Sequence, residues 1–134
     1  MIAVLDASAA VRAVMDADSE FTLGLATGDL VIAPEIFVPE ICNAFRKYSR
    51  ARVMSRIHAE GLIEKALSLV DRFYPMRELV PEVLALTSRS ESSVYDLFYL
   101  ALARRTGAVL LTADQALQKS AASLSIGTSL DSPK

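Results

Sequence analysis

The stretch SSVYDLFYLALARRTGAVLLTAD, residues 92–114, predicts a buried helix followed by a buried strand. Residues 97–103 are apolar on every side of a helix, and such a helix is normally buried. Gly107 is a typical helix-ending residue, and residues 108–112 form the short apolar run of a buried parallel strand. Yet Asp96 stands at the head of the helix and Asp114 stands just after the strand. The position of these two carboxylates therefore requires an explanation.

The same alternation of short apolar runs and amphipathic segments continues along the rest of the chain. Strands are predicted at residues 2–5, 30–33, 76–80, 108–112 and 125–129. Helices are predicted at residues 8–15, 20–27, 39–53, 57–73, 81–87, 93–105 and 114–121. Strands that alternate with helices in this way indicate an α/β fold, with a parallel sheet covered on both faces. No repeat or linker divides the chain, so residues 1–134 are interpreted as a single domain.

The composition and charge limit the kinds of protein to which this chain can belong. The chain has 134 residues, of which 52% are hydrophobic and 22% charged, so it can form a sizeable core and disorder is excluded. The net charge of -2 does not indicate nucleic-acid binding, which would have to rest on a local surface. A lone cysteine, Cys42, suits a reducing compartment. Without a basic leader or an apolar run of about 20 residues, we expect a cytoplasmic protein that is not in a membrane.

Four acids are expected at the edge of the sheet where the strands end: Asp6, Glu40, Asp96 and Asp114. Asp6 directly follows one apolar strand, Asp114 lies two residues after another, and Glu40 lies one turn beyond a third. Asp96 begins a helix that runs antiparallel into the strand before Asp114, which places the head of this helix over the same edge. Ligands of parallel sheets bind at the carboxyl ends of the strands, so the four acids are expected at the ligand-binding end of the molecule. Whether they converge in one site depends on strand order, which the sequence does not give.

Each acid also has an explanation in local helix structure. Asp6 and Asp114 stand where N-caps are expected, Glu40 complements a helix dipole, and Ser93 with Asp96 forms a capping box. Three further polar side chains stand beside the acids: Ser8, Asn43 and Thr112. Caps do not explain this second set, which favours a site, although sequence alone leaves both interpretations open.

A shared site of carboxylates requires a cation. At an effective dielectric constant of about 20, two carboxylates 4 Å apart repel each other by roughly 4 kcal/mol. Oxygen ligands without a nearby His or Cys suit Mg²⁺ or Mn²⁺ and not zinc. A carboxylate-bound Mg²⁺ with open positions binds phosphate and activates water, so the pattern predicts hydrolytic phosphoryl chemistry.

At these positions the sequence resembles the PIN-domain ribonucleases, and most closely the VapC-type toxins of toxin–antitoxin pairs. The resemblance rests on four short motifs: DASA at 6–9, PEI at 39–41 followed by Asn43, YD at 95–96 followed by YLALA at 99–103, and LTAD at 111–114. It implies a three-layer α/β/α sandwich around a mainly parallel sheet of four to five strands. It also implies an endoribonuclease that depends on Mg²⁺ or Mn²⁺ and cuts single-stranded or loop RNA.

The resemblance also implies roles for the individual residues. The catalytic quartet would be Asp6, Glu40, Asp96 and Asp114. Within it, Asp6, Asp96 and Asp114 would hold the metal, and Glu40 would position or deprotonate the attacking water. The supporting polar residues would be Ser8, Asn43 and Thr112. Many members carry a further acid after the last motif, but residues 115–117 are Gln, Ala and Leu, so one tightly held ion is expected.

The partners implied by the resemblance are an RNA substrate, a cognate VapB-like antitoxin and a second copy of the chain in a homodimer. The only dense basic segment, residues 46–56, has two interpretations. It is either a solvated helix end whose cations suit the helix dipole or a phosphate-binding surface in which Arg46 and Arg50 face the groove and contact RNA.

Two alternatives to a nuclease are compatible with acids at the edge of a parallel sheet. A receiver-type signalling module also binds Mg²⁺ there, but it requires adjacent acids after the first strand, where this chain has Asp6 alone. A PIN-like domain that binds RNA or a partner without cutting is the other alternative, and the intact quartet argues against it.

Overall fold

A computed structural model, which describes residues 1–128, contains one sheet of four parallel strands in the order β3-β2-β1-β4. The strands are β1 (Ile2–Leu5), β2 (Leu30–Pro34), β3 (Arg72–Tyr74) and β4 (Val109–Leu111). The helices are α1 (Ala7–Met15), α2 (Glu20–Thr27), α3 (Phe37–Arg50), α4 (Arg56–Ser68), α5 (Met76–Leu86), α6 (Val94–Thr106) and α7 (Gln115–Ser123). The prediction of an α/β fold with a parallel sheet flanked by helices is confirmed.

The sheet separates two apolar cores, because side chains alternate between its faces. In β1, Ala3 and Leu5 pack against helices α1 to α4, whereas Val4 packs against helices α5 to α7. All three side chains are fully buried. The molecule therefore has three layers, with β1 in the interior of the sheet and the residue that follows it, Asp6, at a buried edge.

Helix α6 is the most deeply buried helix, as its composition predicts. Residues 99–103 and Leu97 are all buried. The Ser93 hydroxyl caps the helix by accepting a hydrogen bond from the Asp96 N–H at 3.2 Å. Gly107, with φ of 68°, ends the helix in the left-handed conformation that glycine adopts without strain. The cap at Ser93 and the left-handed residue Gly107 define where the helix begins and ends, and they place Asp96 in its first turn.

We expect the substitution Leu100→Ala in α6 to lower the free energy of unfolding by about 2–5 kcal/mol, because it leaves a cavity in the core. Leu100 is 0% exposed. The matched control is Leu84→Ala in α5, where the side chain is 64% exposed and the change should stay within about 0.5 kcal/mol. Denaturant unfolding of both variants measures the difference, and equal losses would contradict this description of the core.

Three predictions of local structure are wrong. The predicted strand at 76–80 lies within α5, and the third strand is instead β3, which occupies the end of the predicted helix at 57–73. That helix ends at Ser68. No strand occurs at residues 125–128, although the Gly127 carbonyl accepts a hydrogen bond from the Leu110 N–H at 2.8 Å; residue 129 of the predicted strand lies outside the described residues.

No helix in residues 1–128 combines the length and the apolar character that crossing a membrane demands.

Candidate active site

The chain topology places a crevice beside β1. From β1 the chain continues outward through β2 and β3 on one side, and β4 pairs with the other side of β1. Such a reversal in strand order opens a crevice at the carboxyl ends of the strands, where ligands bind. Asp6 follows β1 and Asp114 lies three residues after β4, so the two acids stand on either side of this crevice.

All four predicted acids line one open cleft of about 330 Å³ at this edge. We call it the acid cleft; its polar and charged lining residues are Asp6, Ser8, Glu40, Asn43, Lys47, Asp96 and Asp114. The carboxylates come from four separate parts of the sequence, at the N-terminal ends of α1, α3, α6 and α7. The positive end of each helix dipole therefore points toward the cleft and stabilises negative charge there.

Asp6 is the most constrained of the acids, with only 6% of its surface exposed. Its Oδ1 accepts hydrogen bonds from the Ser8 hydroxyl at 2.6 Å and the Ala9 N–H at 3.0 Å, and its Oδ2 accepts one from the Thr112 hydroxyl at 2.8 Å. Burial raises the pKa of Asp6, and these hydrogen bonds to the charged form partly offset the rise. The side chain is thus held in a single orientation.

Ser8 and Thr112 join the ends of β1 and β4 through their hydroxyl groups. Each hydroxyl donates to Asp6 and accepts a backbone N–H from the loop after β4. The Ser8 hydroxyl accepts from Ala113 at 3.0 Å, and the Thr112 hydroxyl accepts from Asp114 at 3.0 Å. Because both donor and acceptor capacities are used, this network fixes the loop that carries Asp114 relative to Asp6.

Glu40 is half-buried in the first turn of α3, and its Oε1 accepts a hydrogen bond from the Tyr99 hydroxyl at 2.6 Å. Burial raises the pKa of Glu40, the hydrogen bond from Tyr99 lowers it, and the charges of Asp6 and Asp96 raise it further. Burial and the neighbouring Glu40 also raise the pKa of Tyr99, so Tyr99 remains protonated and acts as the donor. Tyr99 was not among the candidate site residues of the sequence analysis, which missed this contact. The available signal was that Tyr99 lies one turn after Asp96 on the same face of α6.

Asp96 is half-buried, and its pKa is raised first by burial and then by the charge of Asp114. Asp114 is exposed and caps α7, with its Oδ1 accepting from the N–H groups of Ala116 at 2.9 Å and Leu117 at 3.2 Å. Asp6 likewise caps α1. Asp6 and Asp114 therefore cap helices and line the cleft at the same time, so the cap interpretation of these two acids does not exclude a shared site.

Comparison with known proteins agrees with this fold. Residues 3–122 match the PIN domain family. The chain belongs to the PIN domain family. Its fold is similar to that in the crystal structure of PAE2754 from Pyrobaculum aerophilum, with a TM-score of 0.73 and 22% sequence identity over 90% of this chain and 79% of that one. No curated protein matches the sequence.

PIN domains are generally metal-dependent nucleases, and the oxygen donors of this cleft suit a hard divalent cation. Within residues 1–128, however, no group of three or more Asp, Glu, Cys or His side chains is close enough to hold an ion jointly. Mg²⁺ does not require such a group, since it keeps several waters and binds through one or two carboxylates. Pairs of acids in the cleft, completed by water, therefore fit the cation.

The placement of Arg46 and Arg50 does not support the interpretation in which the basic segment faces the groove. Arg46 and Arg50 do not face the acid cleft of this PIN domain; they line a separate depression between α3 and α4. Lys47 lines the acid cleft instead. Glu40, Asn43 and Lys47 follow the spacing of one helix face, with one turn between successive members. Counting helical turns from Glu40 along this face would have identified Lys47 as the basic residue of the cleft.

Burial of the carboxylates, together with their mutual repulsion, should make the metal-free PIN domain less stable at neutral pH. Folding raises the pKa values of Asp6, Glu40 and Asp96, so the stability that these groups contribute is present below their ordinary pKa values and is lost as the pH rises through the raised values. Asp96→Asn should therefore raise the metal-free melting temperature at neutral pH by a few degrees and have little effect near pH ~4.

Thermal unfolding in EDTA across this pH range measures the effect. Asp18→Asn, which changes an exposed acid in the loop between α1 and α2, is the matched control and should leave the melting temperature unchanged. A melting temperature of Asp96→Asn at or below that of the parent at neutral pH would mean that burial and repulsion do not make the charged Asp96 destabilising.

Proposed function

We propose that this PIN domain is a metal-dependent endoribonuclease that hydrolyses RNA phosphodiester bonds in the acid cleft. One observation carries the proposal. Four carboxylates from separate elements line a single cleft, and the most buried of them, Asp6, is held by two hydroxyls and a backbone N–H. Divalent-metal hydrolysis of phosphate esters requires acids that are already oriented and that are not each paired with a basic side chain.

Asp6, Asp96 and Asp114 would hold Mg²⁺ or Mn²⁺, one or two of them directly and the rest through coordinated water. When bound, such an ion lowers the pKa of a coordinated water and neutralises charge on the phosphate. The network of Ser8 and Thr112 keeps the carboxylate of Asp6 in place, so that little reorganisation accompanies binding.

Glu40 is the general base of the proposed reaction. Its Oε1 is occupied by the Tyr99 hydroxyl, which leaves Oε2 to accept a proton from the attacking water. Its pKa, raised by burial, makes it a better proton acceptor than an exposed glutamate. Lys47 and Asn43, on the same side of α3, supply the donors that face a phosphate in the cleft.

We further propose a biological setting: the toxin of a type II toxin–antitoxin pair, paired with a VapB-like antitoxin and forming a homodimer. The support is the resemblance of the four sequence motifs to VapC-type toxins. Apolar side chains exposed on α1 and α2, Met15 and Leu23, offer surface for a protein partner.

A receiver-type function is opposed by the environment of Asp6. Phosphorylation requires an accessible carboxylate oxygen, whereas both oxygens of Asp6 are hydrogen-bonded and the residue is buried. Membership of the PIN domain family also contradicts the receiver interpretation.

The proposal predicts that the purified protein cuts single-stranded RNA in Mg²⁺ or Mn²⁺ and that EDTA abolishes the cutting. Gel analysis of a mixed set of transfer, ribosomal and messenger RNA measures the activity, and re-addition of metal after EDTA is the control. Intact RNA under every metal condition, or cutting that continues in EDTA, would refute the proposed chemistry.

A further inference from the structure

A second depression opens directly beside the acid cleft, and we call it the side pocket. It has a volume of about 570 Å³ and lies between α1 and α3. Helix α1 contributes Val11, Arg12 and Met15, and helix α3 contributes Ala44, Lys47 and Tyr48. Apolar atoms form most of its lining, in contrast to the acid cleft, where polar and apolar surface are about equal.

The side pocket and the acid cleft are continuous. Four residues line both depressions: Ser8, Val11, Ala44 and Lys47. A ligand in the acid cleft can therefore extend into the side pocket without crossing a ridge of the protein. The position of Lys47 at the junction places a positive charge between the two.

The side pocket combines an aromatic wall with unpaired cations. The Tyr48 ring is packed against the Phe45 ring, with 5.9 Å between ring centroids, so it forms a fixed wall. Arg12 and Lys47 are exposed, and within residues 1–128 neither forms an ion pair. In a chain with a net charge of -2, two free cations beside four carboxylates indicate a ligand that carries phosphate and an apolar ring.

We propose that the side pocket binds one unpaired nucleobase next to the scissile phosphate, stacked on Tyr48, with its backbone phosphate held by Arg12 and Lys47. The inference rests on the ribonuclease function proposed above and adds a subsite that determines which nucleotides fit. A base that is paired and stacked within a duplex cannot enter a pocket between two helices, so the adjacent nucleotide must be unstacked.

The first test measures binding of a short single-stranded RNA to Asp96→Asn protein, which is chosen so that the RNA stays intact. Adding Tyr48→Ala should weaken binding by roughly 5- to 150-fold, as expected for loss of one stacked base, whereas Tyr48→Phe should bind almost normally. Arg12→Ala and Lys47→Ala should each reduce the salt dependence of log K by about 0.7. The matched control is Tyr95→Ala, because Tyr95 is an exposed tyrosine of α6 outside both depressions.

The second test uses the absence of tryptophan from the chain. Tyr48→Trp introduces a single fluorescent reporter into the side pocket. Single-stranded RNA should quench its emission by stacking, and a duplex of the same sequence should quench it much less.

The outcomes separate this inference from the proposed function. Equal RNA binding by folded Tyr48→Ala and its parent, or equal quenching by duplex and single strand, would overturn the side-pocket proposal while cleavage by the wild-type protein stands. Unchanged RNA binding combined with altered self-association would assign the pocket to a protein contact and also overturn it. If the wild-type protein neither cuts nor binds RNA, the proposed function and this inference fail together.

Discussion

Asp96→Asn is expected to lower metal-dependent RNA cleavage by at least about 100-fold, because substitutions that only touch the surroundings of a metal ligand already cost 10- to 100-fold. Asn has the shape of Asp but lacks the negative charge that attracts the cation. The helix cap is not affected, since the cap of α6 is the Ser93 hydroxyl and the Asp96 N–H that it accepts from is retained. The loss should therefore be one of chemistry and not of folding.

Single-turnover cleavage in Mg²⁺ and in Mn²⁺ measures the loss, with circular dichroism confirming the fold. Ser93→Ala is the complementary variant: it removes the cap, at a cost of about 1 kcal/mol of stability, but keeps the carboxylate and most of the activity. Cleavage by Asp96→Asn at near wild-type rates would exclude Asp96 from the catalytic set and with it the shared-cation description of the cleft.

Glu40→Gln is expected to lower the rate of the cleavage step by about 10²–10⁴-fold, the range typical of losing a general base. The Gln side-chain oxygen can still accept the hydrogen bond from Tyr99, so the position of the side chain is preserved while its ability to take a proton is lost. RNA affinity should change little, which separates this variant from those of the side pocket.

The variant Tyr99→Phe tests the assignment of Glu40 as the base through the pH dependence of the cleavage rate. The hydrogen bond from Tyr99 lowers the pKa of Glu40, so removing the hydroxyl should raise that pKa and move the rise of cleavage rate with pH to higher pH. A variant that only loosened the core would lower the rate without moving the profile. An unshifted profile in Tyr99→Phe, or a Glu40→Gln enzyme with an unchanged rate, would contradict the role of Glu40 as the base.

The fold was largely predictable because its deciding elements are buried and long enough to show a pattern. Helix α6 and strands β1, β2 and β4 are apolar runs next to glycine, proline or acids, and the structure agrees within about two residues. Strand β3 was missed because it has three residues and none of them is fully buried. Pro81 was interpreted as the start of a helix, but it lies inside α5, which begins directly after Pro75.

The candidate site was predictable only as far as the ends of the strands could be predicted. Asp6 and Asp114 follow strands, and Glu40 and Asp96 begin helices over the same edge, so the carboxyl-edge rule accounts for all four acids. What sequence could not provide is strand order, which brings β4 beside β1 and lets the Thr112 hydroxyl reach Asp6. The Tyr99–Glu40 contact, which spans 59 residues of sequence, depends on the same packing.

Asp6 caps α1 and accepts a hydrogen bond from Thr112 in the loop after β4. The same side chain therefore serves both the fold and the proposed chemistry. A relative of this chain without the proposed nuclease activity would not need Glu40 and Asp96, yet its fold would still need a capping side chain at position 6. The residue at position 6 therefore bears on folding as well as on the proposed activity, whereas the acids at positions 40 and 96 bear mainly on the proposed activity.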